Sequence, residues 1–438
     1  MKICVTLCVI SLGLLLGSGA GAATEPTSGS PIQALSQEQA VTLALARSPA
    51  LQALLADGAA QQARVQASAR PSLLRFSLAR LRQGDEREID RSLSVGLLEL
   101  LTWPWRAQAA DSQITVLQQQ QALNTLNHAQ AVRVQWVQAV AAQQKAAYMA
   151  DVMSAAQTAA TLASRLEASG QFSAAQAAQE HVTEAETQQA MLRARQQALS
   201  DKEALVRLIG LQGDDALQLT LPDRLPDVPA TLTWQAEQVA STAQRERLDT
   251  RMAQARWQAM QRSSTDETLR SLVDVEAGWQ RQSNTGQPVK QGPELSFSVL
   301  ATDLGAARRR SANADEQAAL AQWQQTALTA ESQIRESWAR YQSAHEAAVH
   351  AREVLSPIRK RLLAEKLKQY NGMLIGPLEL LAEARSHAVS VITAMEAQRD
   401  FHLAELALRS AMDGSTAPAL MGSTDATSPN AGSSQAAH

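Results

Sequence analysis

Hydrophobic and polar positions along this chain follow two periods, and the switch between them happens twice. From Ser36 onward, Ala, Leu and Gln recur at helical spacing. Ser36 and Gln39 have capping-box spacing, Pro49 breaks the run and Pro71 stops it. The period then falls to two. Leu74, Phe76 and Leu78 alternate with Arg75, Ser77 and Ala79; after the polar turn Gln83 to Glu86, Leu93, Val95 and Leu97 alternate with Ser92, Ser94 and Gly96. Two such runs around a polar turn predict a β-hairpin. No strong breaker follows between Ala107 and Ser169, so a helix of about 95 Å is expected at about 1.5 Å per residue, too long for burial in a compact domain. Gly170 is placed to end it in the left-handed conformation that reverses the chain, and a returning helix is predicted from about Ser173 to Ile209.

The second half repeats this order. Val273, Val275, Ala277 and Trp279 alternate with Asp274, Glu276, Gly278 and Gln280, and Leu295, Phe297 and Val299 alternate with Ser296 and Ser298. Gly372 is placed to end the second long helix, with a return from about Pro377 to Met412. At an offset of 202 positions Leu93 falls on Leu295, Arg106 on Arg308, Trp136 on Trp338, Gly170 on Gly372, Glu203 on Glu405 and Arg207 on Arg409. Upstream the best offset is 197, with Ser36 over Thr233 and Leu51 over Leu248, which assigns five extra residues to the second hairpin. The chain reads as a duplication, with repeats at 36–222 and 233–413. Ile334, Trp338, Tyr341, His345, Ala348, Arg352 and Leu355 form a 3-4 seam for helix packing, and Pro357, opposite Ala155, predicts a kink.

Composition agrees with long helices: Ala, Gln, Arg, Glu and Leu dominate, and aromatics are 3% of the chain. Residues 1–22 read as a secretory signal peptide, with Lys2, an apolar run and Ala20-Gly21-Ala22. Both cysteines, Cys4 and Cys8, lie within it, which excludes disulfide, thiolate-metal and thiol chemistry from the processed chain. Residues 414–438, rich in Ser, Ala, Gly and Pro, read as a disordered tail. The net charge of −3 and scattered basic residues give no nucleic-acid footprint.

No stretch approaches the roughly 20 apolar residues of a spanning helix, so any insertion into a bilayer uses strands. The strands are near the required length, although a soluble sheet with one wet face alternates in the same way. Four strands cannot close a barrel that needs about eight or more. Insertion therefore demands that protomers pool their strands. The long helices would then extend the barrel as a tube.

No catalytic site, cofactor site or metal site is visible. His345 and His350 do not share a helical face, and Met149 with Met153 has the spacing of ordinary packing. Glu203/Arg207 and Glu405/Arg409 are i,i+4 pairs that support the returning helices. Glu379 and Glu383 share a face near the second helical tip, as an acidic ring at an entrance or as an ordinary wet surface. Arg308, Arg309 and Arg310 follow the last strand, where they either mark the membrane interface by snorkelling toward phosphates or open a solvated helix.

With its duplicated helix, β-hairpin, long helix, turn and returning helix, and with Gly292-Pro293-Glu294-Leu295-Ser296 leading to Gly305-Ala306-Ala307-Arg308, the chain resembles the TolC-like outer-membrane efflux channels from about Ser36 to Asp413. The resemblance implies a mainly α fold with a small transmembrane β-barrel portion: a homotrimer with a 12-stranded barrel and a periplasmic helical tunnel in the outer membrane. It also implies a periplasmic adaptor protein and, through it, an inner-membrane pump, with outer-membrane lipid around the barrel. Adaptor-facing tips then correspond to Arg165, Gly170 and Ser173, and to Tyr370, Asn371, Gly372 and Gly376. Gln176 stands where an acidic residue is common in the family. Leu97 to Arg106 and Gln369 to Gly376 are similar to members associated with copper export. The rival reading is a soluble periplasmic coiled-coil adaptor or scaffold, whose hairpins also end in tight turns.

Overall fold

The computed structural model describes residues 34–70, 75–83, 86–270, 274–284, 288–298 and 306–415. The expected signal segment, nearly all of the expected tail, and Leu74, Gly84, Asp85, Val273 and Val299 lie outside the described residues.

The first repeat runs α1 (Gln37–Arg47), α2 (Pro49–Ala69), β1 (Arg75–Gln83), β2 (Glu86–Gly96), α3 (Leu97–Ala168), α4 (Ala174–Ile209) and the short α5 (Asp214–Leu217). The second runs α6 (Ala236–Glu246), α7 (Leu248–Arg270), β3 (Asp274–Asn284), β4 (Lys290–Ser298), α8 (Ala306–His350), a π-turn (Ala351–Leu355), α9 (Ser356–Asn371) and α10 (Pro377–Asp413). The capping box forms at Ser36: its Oγ accepts from Gln39 N at 3.3 Å, and Ser36 N donates to Gln39 Oε1 at 3.0 Å. Pro49 occupies the first turn of α2, where its missing N–H costs nothing.

Two corrections to the repeat register follow. Helices α1 and α6 are both 11 residues, with C-caps Ser48 and Arg247, so the upstream offset is 199 rather than 197. The second copy therefore carries three extra residues here, not five. Two of them lengthen α7, which has 23 residues against 21 in α2. The sequence match failed here because both helices are Ala/Gln-rich, and such residues align at several offsets. The second correction lies in α8. Ser356 N donates to Ala351 O, five residues back, which is the bond of a π-turn and accommodates one extra residue immediately before Pro357. Pro357, where the sequence predicts a kink, lies in the first turn of α9 directly after this turn.

The helices meet around two apolar clusters. One gathers Leu35, Val132, Trp136, Val140, Leu205, Ile209, Leu221 and Leu225 with Leu403 and Leu406 of α10. Trp136 Nε1 donates to Leu35 O at 2.8 Å, which ties the segment before α1 to the middle of α3. The other gathers Val228, Val239, Tyr341, Phe401, Leu408 and Met412. In the 334–355 seam Tyr341, His345 and Ala348 are buried, but Arg352 is exposed and Ala351, the first residue of the π-turn, takes the inward place. Met149 and Met153 are likewise buried among helices.

Candidate membrane face and docking tips

The four strands form one antiparallel sheet in the order β1-β2-β3-β4, so the two hairpins pair through β2 and β3. Register places Phe76 opposite Leu93, Leu93 opposite Trp279 and Trp279 opposite Pro293, and places Val95 opposite Ala277 and Ala277 opposite Leu295. Directly opposed residues point to the same side. One face therefore carries a band of apolar side chains in which Phe76 is 65% exposed, Trp279 51% and Leu295 56%. The other face is polar and internally bonded. Ser77 and Ser92 hydroxyls lie 2.8 Å apart, Arg75 pairs with Glu276, and Gln282 donates to Glu88. A contiguous apolar face of this kind marks contact with lipid or protein. Both outer strands, β1 and β4, present edges unpaired within the protomer.

Strand β4 begins at Lys290 and includes Pro293, five residues before the alternation becomes apparent at Leu295. Beyond the strands, Arg308, Arg309 and Arg310 lie in the first turns of α8; Arg310 Nε donates to Ala306 O at 3.3 Å.

At the far end of the helices the two hairpin tips have the same hydrogen-bond pattern. Ser169 N donates to Arg165 O at 3.1 Å and Gly170 N to Glu167 O at 2.9 Å; Gly372 N donates to Lys368 O and Met373 N to Tyr370 O, both at 2.9 Å. Gly170 takes the left-handed conformation, φ 75°. Gly372 does not: its φ is −83°, and Met373 at φ 58° makes the reversal. The residue added by the π-turn has moved the tip by one position, so Gly170 matches Met373 rather than Gly372.

Arg165, Ser173, Asn371, Gly372 and Gly376 are exposed, and Tyr370 is at the border of exposure. Ser173 caps α4 through a reciprocal box with Gln176, whose Oε1 accepts from Ser173 N at 2.9 Å. That bond is the local role of Gln176. Sequence reasoning passed over Met373 and Leu374, the most exposed apolar side chains of the tip at 93% and 78%. An apolar pair flanked by Gly372 and Gly376 was the available signal.

Glu379 and Glu383 do share a face, but each meets a cation of α9: Lys366 pairs with Glu379, and Arg359 Nη1 donates to Glu383 Oε1 at 3.4 Å. Between the two hairpins, Arg385 pairs with the buried Glu180. Arg409 Nη2 donates to Glu405 Oε1 at 2.9 Å, whereas Glu203 and Arg207 do not pair. His402, with Nδ1 3.8 Å from Glu405, and then Arg409 hold the Glu405 carboxyl below its ordinary pKa against the opposing effect of burial. Burial pushes His128 below the ordinary histidine value, partly offset by a backbone hydrogen bond with Leu208. Among the described residues no group of three His, Cys, Asp or Glu side chains converges on a metal position, and no helix is long and apolar enough to cross a membrane.

The same architecture occurs in solved structures. A membrane protein from Pseudomonas aeruginosa aligns at TM-score 0.71 and 17% identity, over 86% of this chain and 92% of its own. The CmeC outer membrane channel of Campylobacter jejuni aligns at 0.70 and 13%, over 95% of both. The outer membrane protein VceC of Vibrio cholerae aligns at 0.69 and 16%, over 86% and 96%. The chain has the TolC-like outer-membrane channel fold. No protein-family model matches the sequence, and no curated protein matches it. Within this fold the sheet is the barrel portion and the paired long helices are the tunnel portion.

Proposed function

We propose that the protein is the outer-membrane channel of a tripartite efflux system, a passive conduit from the periplasm or an inner-membrane pump to the exterior. The observation that carries this reading is the four-stranded sheet, apolar and exposed on one face, polar on the other and open at both edges. Lipid cannot solvate unpaired backbone groups, so an inserted sheet must close. Three protomers supply 12 strands, enough for a barrel, with β4 of each paired to β1 of the next. A soluble coiled-coil scaffold would leave the Phe76, Leu93 and Trp279 band in water.

In this reading Arg308, Arg309 and Arg310 stand at the periplasmic lipid level, and the exposed residues of the two tips face a periplasmic adaptor. Met373 and Leu374 join Arg165, Gly170, Ser173, Tyr370, Asn371, Gly372 and Gly376 there. Glu379 and Glu383 line the entrance in paired form, so their charge is largely balanced at rest. The similarity of Gln369 to Gly376 to copper-export members makes copper the first cargo to test. Membrane fractionation and planar-bilayer recording test the reading: a heat-sensitive oligomer in the outer membrane that conducts ions supports it, and a water-soluble monomer without pore activity defeats it.

A further inference from the structure

The apolar face of the sheet ends in a belt of arginines. Two positions toward the turns from Leu93 and Trp279 lie Arg91 and Arg281, directly opposite each other in register, and Arg80 lies one diagonal from Arg91 on β1. Arg82 and Arg87, themselves a register pair, continue the same face. The strand carboxylates Glu88, Asp90, Glu276 and Glu294 alternate onto the opposite face, as the pairing of Glu276 with Arg75 and of Glu88 with Gln282 demonstrates. Among the described residues Arg80, Arg91 and Arg281 are exposed and make no ion pair or hydrogen bond.

Like charges directly opposite on adjacent strands destabilise a sheet unless something neutralises them. Among the described strand residues no carboxylate falls on this face. The guanidinium fork binds phosphate oxygens in bidentate fashion, and its stem reaches along apolar surface while the head stays polar. We propose that Arg80, Arg91 and Arg281 form a site for the phosphate groups of outer-leaflet phosphorylated lipid, seated where the apolar band ends. This rests on the outer-membrane reading above, which sets the apolar face against acyl chains and the turns outward. With the Arg308–Arg310 segment at the other end, arginines bracket the band on both sides.

The test uses the full-length trimer in phosphatidylcholine nanodiscs containing bis-phosphorylated lipid A, its dephosphorylated form, or neither, read by native mass spectrometry. The parent is expected to retain phosphorylated lipid A at least tenfold better than the dephosphorylated form. R80Q/R91Q/R281Q is expected to lose that preference while keeping its trimer and conductance. R281Q alone, should the triple variant fail to assemble, is expected to lose severalfold. Equal retention of the two lipids by the parent, unchanged preference in the variants, or equal displacement by millimolar inorganic phosphate overturns the site while leaving the channel reading intact. Failure of the parent to form a membrane trimer overturns both.

Discussion

Met373 holds, at the second tip, the backbone conformation that Gly170 holds at the first: φ is 58° in one and 75° in the other, and each follows a helix C-cap closed by the same i→i−4 bond. A side chain in the left-handed region costs about 1–2 kcal/mol. Gly170 has nothing within 4 Å of an added Cβ, so Gly170→Ala should lower the first tip's opening free energy by about 1 kcal/mol through backbone strain alone. Met373→Gly should not weaken the second tip. Hydrogen exchange at Gln171 and Leu374 reads both. Because Met373 is the most exposed apolar residue of the tip, Met373→Gly should nevertheless weaken adaptor binding in pull-downs.

The π-turn absorbs its extra residue within one wide turn, so removing Glu353 should restore a continuous α-helix, leaving helix content in circular dichroism unchanged. Arg359–Glu383 and Lys366–Glu379 should then keep their alignment. Intact trimers that still crosslink to adaptor are expected, and loss of the crosslink would show that the turn sets the phase of α9.

Arg247, 4% exposed at its side chain, binds both Asp249 oxygens, the carbonyls of Ala330 and Ala411, and Gln333. It locks the α6–α7 junction to α8 and to the end of α10. Arg247→Met strands those acceptors, and a loss of about 3–5 kcal/mol in exchange protection at the end of α10 is expected.

His128 and Glu405 both have lowered pKa values in the folded chain, so the unfolded chain binds more protons. His128 contributes stability that is full above pH 6.5 and lost as pH falls through its folded value; Glu405 does the same from about pH 4.5 downward. Heat-dissociation temperature should fall from pH 7.5 to 5.5, and His128→Gln should flatten that interval while leaving the Glu405 decline below it.

Much of this architecture was legible in the pattern alone, because period-two runs between long Ala/Gln helices admit few structures, and Trp136 and Trp338 fixed the duplication. Two things were hidden. The one-residue insertion at Ala351–Leu355 leaves no sequence signal, since a π-turn uses ordinary helix formers; it moved the turn from Gly372 to Met373. The arginine belt depends on which residues of β2 and β3 stand opposite each other, and only the pairing of Arg91 with Arg281 reveals it. The partners of Glu379 and Glu383 sit on α9, 13 and 24 residues away, beyond the reach of helical spacing.

Pooling of strands between protomers is tested most directly by disulfide trapping across the outer strands. With Cys4 and Cys8 replaced by serine, single cysteines introduced along β1 (at Ser77 or Ala79) and β4 (at Gly292 or Glu294) in one chain report on that contact alone. Oxidation in intact outer membranes should give a covalent ladder that ends at three chains. A product confined to single chains, or a ladder running past three, would contradict the closed trimeric barrel.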